Sequence, residues 1–179
     1  KDTELTKGLR ATLGSLVYQD FVPDEDSTLV ERLRGAGAII IGKTNTSELA
    51  MLGETRNLLG SDCSNPWDLT GTTGGSSGGA ACAIAAGLAP LASGSDSGGS
   101  ITIPAAFCGT FGFKPSHGFI SRHGILSLSR FLDHVGVFAR SVEDLALIAE
   151  VLMGHDDLDP DMRVRSHPHL VETAMDEPP

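Results

Sequence analysis

Two short turns set hydroxyls among glycines: GGSSGG at residues 74–79 and GSDSGGS at residues 94–100. A hydroxyl becomes a useful nucleophile only beside a base, and the oxyanion that it creates needs backbone N–H groups aimed at it. The consecutive glycines before Ser100 leave such N–H groups unobstructed by side chains. The pattern therefore points to acyl transfer, provided the elements between the turns bring them to one end of a sheet. GGSSG also fits the GxSxG elbow of a serine esterase, for which the histidines at 117, 123, 134, 155, 167 and 169 are candidate bases. That elbow follows an apolar strand, whereas NPWDLTGTT before Gly74 reads as loop.

Other motif matches carry less. GAIIIGKT at residues 37–44 satisfies GxxxxGK[ST], but a phosphate cradle needs a loop where this chain has Ala-Ile-Ile-Ile, so Lys43 is expected to end a strand at the surface. Asp157, Asp159 and Asp161 alternate like the start of a calcium loop, yet Met162 and Pro168 stand where its glycine and bidentate glutamate belong, leaving a solvated acidic turn. His167 and His169 lie in a polar tail. Cys63, Cys82 and Cys108 have no paired metal-ligand spacing and read as small core residues. No metal and no organic cofactor are called for.

The elements that must position the turns follow from periodicity. Among 179 residues, 23 acidic against 13 basic side chains give a net charge of −10, which disfavours nucleic acid and anionic membranes as partners. The longest apolar run, Ala38 to Ile41, is too short for a membrane span, and a cytoplasmic location is expected. A helix starts near Thr28, with Thr28 and Glu31 at capping-box spacing, and stops at Gly35 and Gly37. AIII then reads as a buried strand, and a second short helix follows Asn45. Residues 53–73 read as a long loop, and a helix of small residues runs from about Ser77 to Ala86, with Ser77 as its cap. A short strand leads into Ser100, ITIPAAFC makes a helical turn with Pro104 early, and SVEDLALIAEVLMG is a capped helix from Ser141 to Gly154. This succession is α/β.

The same motifs carry a resemblance. GGSSGG, then GSDSGGSITIPAAFCGTFGFKPSHGFIS, with IIGKTNTSELAM upstream and LDHVGVFARSVEDLALIAEVLMG downstream, closely resemble the amidase signature family from Lys1 to about Asp161. The resemblance implies an α/β/α sandwich on a central mixed sheet, incomplete in this chain, and a Ser–cis-Ser–Lys triad acting on linear amides. By motif, Ser100 is the nucleophile, Ser76 the bridging serine after a cis bond from Gly75, and Lys1 the base. The N–H groups of Ser97, Gly98, Gly99 and Ser100 correspond to the oxyanion hole, and Gly75 and Thr102 to substrate contacts. Thr102 departs from the basic residue that many members carry, and Val137 from a frequent proline. Asp96 reads as a turn-holding acceptor, and Lys114 as structural.

An ordinary lysine titrates at about 10.4, so a base working near pH 8 needs a depression of roughly two pH units, about 3 kcal/mol, from burial or dipoles. The absence of an initial Met and the polar end suggest a partial domain over residues 1–161, truncated at both ends, with a poorly ordered tail over 162–179. The expected activity is hydrolysis of a small-molecule carboxamide through an acyl-Ser100 intermediate, in a protein able to form a homodimer. The alternatives are the A subunit of a glutamine-dependent aminoacyl-tRNA amidotransferase, a catalytically silent fragment, and the GxSxG esterase. His117 and His134 stand where that subunit tends to carry Tyr and Gln, which favours a free-standing amidase.

Overall fold

A computed structural model describes residues 1–60, 62–162, 166 and 168–176. In chain order these form helix α1 (Thr28–Gly35), helix α2 (Gly78–Ala85), strand β1 (Leu91–Asp96), helix α3 (Thr102–Cys108), strand β2 (Phe111–Phe113), strand β3 (His134–Ala139), helix α4 (Val142–Leu152) and helix α5 (Leu170–Met175). The three strands make one antiparallel sheet, with β3 in the middle, β1 on one side and β2 on the other. Leu91 pairs with Ala139 and Asp96 with His134, so β1 ends where β3 begins.

Alternation along β3 decides the layers. Val135 and Val137 face one way, into a core with Leu29 and Val30 of α1 and Ile148 and Leu152 of α4. Phe138 faces the other way, against Ala80, Ala81 and Ile84 of α2 and Ile101, Ala105 and Cys108 around α3. The result is helix, sheet, helix. Among the described residues no helix is long and apolar enough to cross a membrane.

Local chemistry explains most element ends. Ser141 caps α4 by accepting from the Asp144 N–H at 3.1 Å. The cap of α1 is Ser27 and not Thr28: Ser27 Oγ accepts from Val30 N–H, while the Thr28 hydroxyl donates to Asp156 at 2.6 Å. Small residues in α2 serve close approach, since a Cβ on Gly79 would come within 2.5 Å of the Asn45 backbone. The long loop before α2 is pinned to the end of α3, Asn65 donating to Phe107 O and Trp67 Nε1 to Cys108 O. Cys108 is buried, Cys63 and Cys82 are half-buried, and all three are free thiols.

Two expectations are corrected. Residues 38–41 form no strand and pair with no described strand, and Ile39 and Ile41 are 87% and 75% exposed. They border an apolar groove of about 720 Å³ whose other wall is the edge of β1, so the ladder that would bury them is not made by any described strand. The helix expected after Asn45 is a single 3₁₀ turn, Glu48–Ala50, in which Leu49 and Ala50 both take positive φ. A positive φ at two neighbouring non-glycine residues cannot continue a right-handed helix.

Candidate active site

The turn that carries Ser100 is wound around one buried carboxylate. Asp96, the last residue of β1, accepts from the N–H groups of Gly99 and Ile101 at 2.7 Å and of Thr102 at 3.4 Å. These bonds curl residues 97–100 and start α3, with Gly99 at φ +115° where a side chain would be strained. Gly99 therefore spends its N–H on Asp96, whereas those of Ser97, Gly98 and Ser100 have no partner among the described residues. Of these three residues, Ser97 and Ser100 line the cleft described below.

The other turn is held from behind. Thr55 Oγ1 donates to Gly74 O and accepts from the Gly78 N–H, both at 2.9 Å. The Gly75–Ser76 peptide is cis. A Cβ on Gly75 would sit 2.7 Å from the Glu54 backbone, so only glycine fits there. Ser77 stitches the turns together: its N–H donates to Ser100 O at 3.2 Å and its hydroxyl to Ser95 O at 3.2 Å. Its side chain does not cap α2, contrary to expectation, because the hydroxyl is committed to β1.

Lys1 enters between the two turns. It is 4% exposed, and its Nζ lies 2.7 Å from Ser76 Oγ, 3.0 Å from Ser95 Oγ and 3.3 Å from Ser95 O. Burial pushes the Lys1 amine down from 10.5 to about 7, although Glu4, Asp96 and Asp133 all pull it upward. A neutral amine has two N–H groups and one lone pair. With the N–H groups directed to the two Ser95 oxygens, the lone pair is left for the Ser76 hydroxyl.

Ser76, Ser95, Ser97 and Ser100 line one cleft of about 300 Å³, together with Asp133 and His134. Gly75 and Thr102 do not line it; Thr102 is exposed and turns its hydroxyl toward Gly99 O. The contact to Ser76 comes from Lys1, and no histidine among the described residues touches Ser76. His167 lies outside the described residues.

Sequence reasoning missed several groups around the cleft. Ser95 holds Lys1 with its hydroxyl and carbonyl, a role that its place in GSDSGGS did not reveal. The Asp159–Asp161 turn is not a solvated acidic loop: both carboxylates pair with Arg122, at 2.8 and 2.6 Å, and Asp161 also pairs with Arg130. Those pairs hold the Asp161 carboxyl well below the usual carboxylate range. Lys43 is not a surface strand end but pairs with Asp2 at 2.9 Å, anchoring the segment that carries Lys1. His134 stands edge-on to His117 at 5.3 Å, and its Nδ1 lies 2.7 Å from Leu132 O, which fixes the proton on Nδ1.

The chain is similar to known proteins over most of its length. The A subunit of the glutamyl-tRNA(Gln) amidotransferase of Alkaliphilus metalliredigens is 52% identical over 159 residues, 89% of this chain and 32% of that protein. The solved structure of the Thermotoga maritima protein of that name superposes with a TM-score of 0.90 at 39% identity, over 93% of this chain and 37% of that one. The structure of 6-aminohexanoate cyclic dimer hydrolase complexed with substrate gives 0.93 at 35% identity, over 99% and 38%. The chain thus spans about a third of the length of the relatives it matches. The family model described as Amidase matches residues 1–178, nearly the whole sequence and both glycine–serine turns within it, and the chain belongs to that family.

Proposed function

We propose that these residues form the catalytic centre of an amidase that hydrolyses a linear carboxamide to a carboxylic acid and ammonia or an amine. The observation that supports this most directly is the 2.7 Å contact between a buried Lys1 amine and Ser76 Oγ. Neutral Lys1 accepts the Ser76 proton as Ser76 takes the proton of Ser100, and Ser100 Oγ attacks the amide carbon. The N–H groups of Ser97, Gly98 and Ser100 hold the oxyanion, where each such donor is typically worth about a hundredfold or more in rate. The C–N bond breaks as the leaving nitrogen collects a proton through Ser76. Water then attacks the acyl-Ser100 ester by the same relay, releasing the acid and restoring the serine.

The experiment is covalent labelling of the intact gene product with a fluorophosphonate. One equivalent should attach at Ser100, and Ser100→Ala should abolish it; labelling that persists in Ser100→Ala refutes the nucleophile assignment. A second reading, the A subunit of a glutamine-dependent amidotransferase, is favoured by the names of the amidotransferase relatives. It would add partner subunits and charged tRNA. His134 in the cleft and the net charge of −10 argue for the free-standing enzyme. Glutamine-dependent ammonia transfer to glutamyl-tRNA, faster than hydrolysis of simple amides, would decide for the second reading.

A further inference from the structure

We infer that Asp133 is a positioning residue for the oxyanion donors, tying the loop that carries Ser97 and Ser100 to the opposite wall of the cleft. The inference rests on the reading of Ser100 as nucleophile. Asp133 immediately precedes β3, whose first residue, His134, pairs with Asp96 at the end of β1. Its carboxylate therefore emerges where β1 turns into residues 97–100. It is 7% exposed and lines the cleft with Ser76 and Ser100.

The two carboxylate oxygens do different work. Oδ2 accepts from Ser127 Oγ at 3.0 Å, Leu128 N–H at 2.7 Å and Ser129 N–H at 2.9 Å, and so closes the 127–133 loop on itself. Oδ1 turns the other way and accepts from Ser97 Oγ. Loop closure alone needs only Oδ2. The second oxygen couples that loop to Ser97, whose N–H has no other partner among the described residues and is one of the three donors available to an oxyanion. Asp96 grips the turn at Gly99, Ile101 and Thr102, which leaves its first residue, Ser97, to be aimed from outside.

A misaimed donor costs transition-state binding and not substrate binding, because charge builds on the oxygen only as the serine attacks. The test uses Ser97→Ala, Asp133→Asn, their combination and Ser97→Thr in the intact gene product, assayed on a neutral amide. Ser97→Ala breaks the link and keeps both the Ser97 N–H and the Oδ2 contacts. It should lower kcat on the order of tenfold with KM unchanged. Asp133→Asn should lose a similar factor, the double variant should lose no more than the worse single one, and Ser97→Thr, which restores a hydroxyl, should recover most of the rate. Wild-type kcat in Ser97→Ala, or losses that multiply in the double variant, would overturn the inference. Stoichiometric fluorophosphonate labelling at Ser100 in the variants, at a reduced rate, separates this from the parent reading; wild-type protein that does not label at Ser100 would bring down both.

Discussion

The rate should follow the titration of one buried amine. Burial takes Lys1 from 10.5 to about 7, a fall of about 3.5 pH units, or ~5 kcal/mol of preference for the neutral form. At about pH 8 roughly nine-tenths of Lys1 is then an available base, against about 0.3% of an ordinary lysine, a ratio of about 300. The expected kcat/KM profile on a neutral amide rises with pH through about 7 and levels off. Removing a carboxylate that raises Lys1, as in Glu4→Gln, should move that rise to lower pH. The same proton must appear in stability. Between about pH 7 and 10.5 the unfolded chain holds a proton that folded Lys1 does not, so stability from this group increases with pH across that window. From about pH 7 to 9 the gain is roughly 2 to 3 kcal/mol, and Lys1→Met should erase it. Denaturant melts of both proteins at several pH values measure the difference. A rise in kcat/KM centred near 10, or identical pH slopes of stability for wild type and Lys1→Met, would refute the argument.

Two further outcomes test the frame around the site. Gly79→Ala would gain about 1 kcal/mol of helix propensity in isolation, but its Cβ would lie 2.5 Å from Asn45 backbone, so a net loss of ~1 to 3 kcal/mol is expected; a denaturant melt showing a stabilised variant would contradict the close approach. Ser141→Ala should remove the cap on Asp144 N–H and cost about 1 kcal/mol in the same assay, with kcat unchanged because α4 packs behind the sheet.

What the sequence made legible was local. Ser141 and its α4 stripe and Asp96 in its own turn could be read because the cause lies within a few residues of the effect. Lys1 beside Ser76 was legible only through resemblance, since nothing in the spacing of a lysine and a serine 75 residues apart implies contact. The misses share one physical origin. Residues 38–41 have the composition of a buried strand, but burial of a strand belongs to its neighbour as much as to itself, and no described strand pairs with it. The alternating aspartates looked solvated because Arg122, which neutralises Asp159 and Asp161, lies 37 and 39 residues away.

Asp133 shows the same limit at the site itself. A carboxylate in a loop reads as surface until the register of β1 against β3 sets it beside Ser97, and that register is fixed by Val135, Val137 and Phe138 filling the two cores. The packing that orders the sheet is thus also what aims the donors. A one-residue slip of β3 would turn its valines out of one core and its phenylalanine out of the other, and would carry Asp133 away from the loop it holds. Fold and chemistry in this chain therefore stand on one alternation, which is why core substitutions in β3 should lower kcat before they unfold the protein.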